Sequence, residues 1–218
     1  MLYIIATPIG NLKDITLRAL DVLKELDLVA CEDTRRTRIL FDRYKISSPT
    51  TSYFEHNRIK KAHFLIGELK KGKNIGLVSD AGLPGLSDPG RFLINRAREE
   101  GIDITIIPGP DAALSSFVLS GFRGDGFVFG GFLPRKRSAR KKKIKEMLVL
   151  GLPAVFYESP HRILKTLEDL ESLDVEVFIA RELTKKFEEL LLGSPSDMLE
   201  RFREKSPKGE FTLVVRAK

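Results

Sequence analysis

Short apolar runs, each closed by a turn-forming segment and followed by an amphipathic stretch, recur along this chain. Residues 2–7 form one such run and read as a buried parallel strand, after which Pro8, Ile9, Gly10 and Asn11 turn the chain. Asp14 or Thr16 can cap the helix that follows, where Leu17, Leu20, Leu23 and Leu26 recur at every third position and are expected on one face. Further strands are predicted at 28–31, near 51–54, at 75–78 and at 104–107, with helices over 57–71, 91–100 and 111–120. Pro110 suits the first turn of the last of these helices. Three glycine-bearing loops (8–11, 79–90 and 108–113) therefore follow three strands. In a parallel sheet they gather at one edge, just outside the carboxyl ends of the strands, where open α/β sheets bind ligands.

The pattern changes at 121–131, GFRGDGFVFGG, a glycine-rich stretch at which a domain boundary is expected. Strand and helix alternate again beyond it: strands at 154–158, 175–181, 187–193 and 211–216, helices at 138–150, 162–173 and 196–205. The expected fold class is α/β in two domains, 1–121 with the glycine loops and 122–218 behind a glycine-rich and basic segment.

The longest loop, SDAGLPGLSDPG at 79–90, carries the most chemistry. Gly82, Gly85, Gly90, Pro84 and Pro89 forbid regular structure there. From Asn74 to Gly90 there is no Lys or Arg, while Asp80 and Asp88 supply carboxylates. A phosphate cradle would want a Lys or a matching metal ion, so this loop suits a ligand with positive charge and hydroxyls. The plain alternative is a capped turn in which Asp80 and Ser87 bond local backbone amides. Twelve residues of this density are more than such a turn needs.

Charge adds a second feature. The formal net charge of the 218 residues is +7. The eight bases Arg135, Lys136, Arg137, Arg140, Lys141, Lys142, Lys143 and Lys145, with no acid among them, exceed that whole excess. A solvated helix face is the plain reading, but an uncompensated run repels itself, which favours an anion-binding role. At 32–38, EDTRRTR, Asp33 or Thr34 can cap a helix, which accounts for the acids and not for three arginines. Later strand ends carry Glu158, His161, Arg162 and Glu182, each a candidate acid, base or clamp. The lone Cys31 excludes an internal disulfide and a Cys-based zinc site, and His56 and His63 lack metal-ligand spacing, so no metal is expected. The Gly-x-Ser-x-Gly and His-Glu-x-x-His hydrolase signatures are missing. No apolar run resembles a signal peptide or a membrane span, and a cytoplasmic protein is expected.

Seven segments, TPIGNLKDITLRAL, CEDTRRT, SDAGLPGLSDPG, IPGPDAA, GFLPRK, FYESPHR and RELTKKFEE, follow in order along nearly the whole chain. Through them the chain resembles the tetrapyrrole methylase superfamily, and within it the ribosomal RNA small subunit methyltransferase I branch. Leu83 and Gly126 depart from the branch pattern, where Thr and Arg are usual. The resemblance implies a class III methyltransferase of two α/β domains, a homodimer, with S-adenosylmethionine in the cleft between the domains, acting on the 2′-hydroxyl of a cytidine in 16S rRNA of the small ribosomal subunit. Carried over residue by residue, it implies cofactor contacts at Pro8, Ser79, Asp80, Ala81, Gly82, Ser87, Pro108, Gly109, Ala112, Ala113, Tyr157 and Leu213. Candidate general bases are Glu158, His161, Asp80 and Glu182, in falling order. Candidate RNA contacts are Arg35, Arg162 and Lys185, with Arg135, Lys136, Arg140, Lys141, Lys142 and Lys143 of the basic run. Methylation of a tetrapyrrole precursor is the alternative within the superfamily; the extended basic segment argues against it. A non-catalytic RNA-binding protein is the alternative of another class, but single-strand readers use clustered aromatics, whereas these 14 Phe and 4 Tyr lie mostly in core-like runs.

Overall fold

In the computed structural model, which describes residues 1–204 and 207–218, the apolar runs of the first half become strands of one parallel sheet. β1 (Leu2–Ile5) leads through a single 3-10 turn to α1 (Leu17–Glu25), β2 (Leu28–Cys31), α2 (Thr34–Tyr44) and β3 (Thr50–Ser52). α3 (Arg58–Lys70), β4 (Ile75–Val78), α4 (Gly90–Glu99) and β5 (Ile104–Ile107) follow. The strand order is β3-β2-β4-β1-β5, with β1 hydrogen-bonded in parallel to both β4 and β5.

Both faces of the middle of this sheet are covered, which is why β1, β2 and β4 are apolar throughout rather than alternating, whereas the edge strand β3 is Thr-Thr-Ser. Leu2, Ile4, Ile75 and Leu77 pack with Leu65 and Leu69 of α3 and Leu93 of α4. Ile5, Val29 and Ile107 pack with Ala19 and Leu23 of α1 and with Leu40 and Phe41 of α2. Thr16 caps α1, its Oγ1 accepting from the Ala19 amide at 3.1 Å. Leu17, expected on the buried face, is 81% exposed. A step of three residues falls about 60° short of a helical turn, so Leu17 and Leu26, three steps apart, lie on opposite sides.

The second compact unit begins at Ala112, because α5 (Ala112–Ser120) packs against strands of the second sheet. The composition shift at 121 thus marks the end of α5, and the two units, Met1–Asp111 and Ala112–Lys218, divide ten residues ahead of the expected boundary. β6 (Val128–Phe132), α6 (Arg137–Leu148), β7 (Ala154–Glu158), α7 (Ile163–Leu170), β8 (Val175–Arg181), β9 (Glu189–Gly193), α8 (Pro195–Glu204) and β10 (Phe211–Ala217) complete it. The end of the last helix expected from sequence, Lys205, lies outside the described residues.

The strand order here is β6-β7-β10-β8-β9, parallel between β6 and β7 and antiparallel elsewhere. Its core joins Phe156, Ile179 and Leu213 to Ile144 of α6, Ile163 and Leu167 of α7, and Leu199 of α8. β6 runs through the stretch that reads as a glycine-rich linker. Its register with β7 shifts between Phe129 and Gly131, a bulge that frees Gly130 from the ladder. Gly130 must be glycine, since an added Cβ would lie 2.4 Å from a ring carbon of Phe156. Among the described residues, no helix is long and apolar enough to cross a membrane.

Candidate functional site

At the carboxyl edge of the first sheet, the connections from β2 and β4 leave in opposite directions, one toward β3 and the other past β1 to β5. That reversal opens a crevice beside the two strand ends. The loops after β1, β4 and β5 meet there. The Thr7 amide donates to Gly82 O at 2.9 Å and the Gly82 amide returns a bond to Thr7 O at 3.0 Å. The Thr7 hydroxyl donates to Ser79 O at 3.0 Å, and the Ser79 hydroxyl to Gly82 O at 3.1 Å. Gly82 has φ +78°, and a Cβ there would meet Ile9 at 3.4 Å and Pro110 O at 3.5 Å. A Cβ on Gly109 would come within 3.0 Å of the Ala6 Cβ. Pro8, Ser79, Asp80, Ala81, Gly82, Pro108 and Gly109 thus belong to one edge of one sheet. Thr7, Pro8, Arg36, Ser79 and Asp80 line a recess of about 60 Å³ there. Ser87 sits farther along the loop with φ 72°, in the left-handed region that a non-glycine residue seldom adopts.

Local capping in the long loop falls to Asp88 rather than to Asp80 or Ser87. Asp88 Oδ1 accepts from the amides of Gly85 at 2.6 Å and Gly90 at 2.8 Å, which closes the loop onto the start of α4. Asp80 instead reaches the start of α2: it accepts from the Asp33 amide at 3.1 Å and pairs with Arg36 at 3.3 Å. A loop without its own Lys or Arg therefore receives one cation from a neighbour.

The three arginines of EDTRRTR find acids of their own. Asp33 caps α2 and holds Arg35 through both oxygens, at 3.1 and 2.7 Å, while Arg38 pairs with Asp42 at 2.8 Å. The Arg35 side chain, then its amide, draw the Asp33 pKa down to about 2. Loss of water, followed by the Asp80 and Asp88 charges, raises the Glu32 carboxyl pKa. Cys31 is buried beneath it, and that burial raises its thiol pKa.

In the second unit, the sequence candidates separate by burial. Glu158 is only 2% exposed, and both its oxygens are engaged. Oε1 accepts from the Ser159 amide at 2.8 Å and from Arg162 at 2.7 Å, and Oε2 accepts from the Thr166 hydroxyl at 2.8 Å. Arg162 spends its other end on Leu133 O at 2.8 Å. His161 stands exposed on the turn these bonds anchor. Glu182, at φ 50°, and Glu210 hold Lys185 between them at 2.8 and 2.9 Å. Tyr157 and Leu213 lie on β7 and β10, and Ala112 and Ala113 open α5.

Part of the basic run, Arg137 and Arg140, is compensated across space by an acid its local sequence does not show. Asp169 of α7, fully buried, accepts from Arg137 Nε and Arg140 Nε, both at 2.7 Å. Arg140 is 3% exposed and also donates to Arg135 O at 3.2 Å, so it belongs to the core and not to an exposed anion-binding face. Lys143 donates to Gly130 O, and Lys141 lies 3.9 Å from Asp169. Arg135, Lys136, Lys142 and Lys145 remain exposed. The sequence reading also missed an aromatic trio: Tyr157 stands edge-to-face with Phe129 at 5.1 Å and with Phe132 at 5.6 Å. Only the alternation FVFGGF hinted at it.

Residues 1–198 match the family described as Tetrapyrrole (Corrin/Porphyrin) Methylases. The chain is similar to the solved structure of diphthine synthase, with TM-score 0.78 and 16% identity over 100% of this chain and 89% of that one. It is similar also to the methyltransferase CobJ, with TM-score 0.71 and 17% identity over 99% and 93%. At such identities the likeness concerns the fold alone. It sets the class of fold, α/β built on two sheets. Ribosomal RNA small subunit methyltransferase I of Thermotoga maritima is 46% identical over 100% of this chain and 98% of its own length. The protein of the same name from Bacillus subtilis is 43% identical over 99% of this chain and 74% of its own. The chain belongs to the tetrapyrrole methylase family and, within it, to the ribosomal RNA small subunit methyltransferase I branch.

Proposed function

We propose that this chain is an S-adenosylmethionine-dependent methyltransferase of small-subunit ribosomal RNA, acting on the 2′-hydroxyl of a cytidine. The observation that carries methylation of small-subunit rRNA is the full-length likeness to a relative named ribosomal RNA small subunit methyltransferase I; the cytidine 2′-hydroxyl is the finer part of the proposal and comes from the sequence resemblance. The bonded loop edge of the first unit supports it. The cofactor, when bound, supplies an electrophilic methyl group on a sulfonium centre. Pro8, Ser79, Asp80, Ala81, Gly82, Pro108 and Gly109 are the residues of the first unit that would hold it. The donor set fits: Gly82 and Gly109 leave backbone bare along the edge, with Gly109 at a place where a Cβ would crowd Ala6, and Asp80 supplies a carboxylate for a cationic ligand, with Arg36 at 3.3 Å from it.

The chain's own residues then have to align a weak nucleophile and relieve it of a proton, and alignment alone can contribute much of the acceleration. Among the candidate bases, His161 is the exposed one beside an anchored turn, and we assign it the hydroxyl proton. Glu158, whose oxygens are occupied, is a positioning residue that fixes Arg162 and the turn. His161→Ala should lower turnover by about 100-fold with S-adenosylmethionine affinity within a few-fold. Unchanged turnover would move the base elsewhere. The function itself is tested by incubating small ribosomal subunits with the protein and S-adenosylmethionine and mapping the product by mass spectrometry. Methyl on a base, or on a nucleoside other than cytidine, would overturn the finer reading; no methyl on RNA would overturn all of it.

The exposed bases of α6 and its approach give the phosphate grip. Replacing Lys136, Lys142 and Lys145 with Gln keeps helix propensity and leaves the buried Asp169 cluster intact. RNA affinity should fall with an unchanged modified nucleotide, and the slope of log affinity against log salt should flatten by roughly 0.7–0.9 for each phosphate left without its lysine. An identical slope would mean that these lysines are only a solvated face.

A further inference from the structure

Phe132 is one of the exposed apolar residues of the second unit that the proposed site does not use. It is a large aromatic side chain, 56% exposed, at the carboxyl end of an edge strand. Exposure at this position is built rather than incidental. The bulge at Gly130 shifts the register so that Phe132 pairs with Tyr157 across the parallel β6–β7 ladder. Bulges of this kind re-aim the residue that follows. Gly131, at φ +59°, follows in the left-handed region. Lys143 then ties down the bulge residue and the strand end beyond it, donating to Gly130 O and to Phe132 O at 3.4 Å. Arg162 binds Leu133 O at 2.8 Å and Arg140 binds Arg135 O at 3.2 Å. Each of these two arginines is anchored by a buried carboxylate, Glu158 or Asp169. Three cations thus fix one short segment, and that segment carries the exposed Phe132 and, three and four residues further along, the exposed Arg135 and Lys136. Tyr157 supports the Phe132 ring edge-to-face, at 5.6 Å and 60°.

The geometry points to Phe132 as a stacking platform for an unpaired nucleobase of the RNA substrate, with Arg135 and Lys136 taking the adjoining phosphate. A rigid, half-open aromatic ring next to two cations is the combination that holds single strands, because every base has a π-face and every nucleotide a charge. Duplex RNA offers no free base face and should not engage it. This inference deepens the rRNA-methylation reading and rests on it for the identity of the substrate.

The chain contains no tryptophan, so Phe132→Trp places a single reporter on the platform. Single-stranded oligocytidylate should quench its fluorescence, while a duplex RNA of equal length should bind through charge with little quenching. Phe132→Ala should lower methyl transfer to small ribosomal subunits about tenfold, and Phe132→Tyr should restore it, which a mere packing role on an exposed residue would not demand. The stacking inference is overturned if single-stranded RNA leaves the tryptophan unquenched, or if Phe132→Ala methylates as fast as the unmodified chain. Absence of methylation by the unmodified chain, with quenching retained, would instead sink the rRNA reading and leave the platform to another RNA.

Discussion

A Gly82→Val protein should bind S-adenosylmethionine at least tenfold more weakly, a loss of about 1.4 kcal/mol. Two effects act at this position. Valine is forced into φ +78°, where its branched side chain is strained. Its Cβ would already touch Ile9 and Pro110 O at contact distance, 3.4 and 3.5 Å, so the two methyl groups beyond it should crowd the loops that Gly82 joins by two backbone bonds to Thr7. Titration calorimetry reads the affinity, and circular dichroism confirms that the variant is folded. Gly101→Val separates strain from site: Gly101 has φ +67° but nothing within 4 Å of a new Cβ. It should cost similar stability and leave cofactor affinity unchanged. Equal affinities in folded Gly82→Val and unmodified protein would remove the loop edge as the cofactor site.

The largest drop in stability is expected from Asp169→Ala. Arg140 lies 2.6 Å from Asp169, both side chains almost wholly buried, so removing the carboxylate strands a guanidinium in the core. Breaking a buried pair from one side costs about 3–5 kcal/mol. In a chain of this length that lowers the melting temperature by roughly 10 °C. The double variant Asp169→Leu with Arg140→Met should recover most of the drop, since apolar replacement of both partners removes the stranded charge. The exposed Lys142–Glu146 pair, at 3.7 Å, is the contrast: Lys142→Ala should shift the melting point very little. A melting temperature unchanged by Asp169→Ala would show that water reaches Arg140 and that the pair is not a core element.

The strands were legible wherever the apolar run was short and bounded. Residues 104–107, 154–158 and 175–181 read from sequence match β5, β7 and β8. Local caps were legible too, since Thr16 and Asp33 both stand directly before the helices they cap. The misses share one physical cause, partners distant in sequence. The basic run looks uncompensated because its counter-charge, Asp169, lies 29 residues beyond Arg140. Glu158 looks like an available base because Thr166, which occupies its second oxygen, comes a helical turn into α7. β6 is hidden because glycines that weaken a strand on average here serve a bulge against Phe156. Leu17 was misplaced for a different reason, a three-residue spacing read as though it matched the helical period.

The placement of the earliest and latest strands bears on the order in which the chain can fold as it is made. β1 comes first but pairs with β4 and β5, so it waits for residues 75–77 and 104–107 before it has any neighbour. β10 is the last strand and sits between β7 and β8, so the second sheet stays in two pieces until residues 211–217 have left the ribosome. Both sheets are therefore closed by long-range pairings, which are slow to form and leave unpaired strand edges exposed meanwhile. A nascent chain stalled before residue 211 should retain a protease-resistant first unit and a sensitive second one.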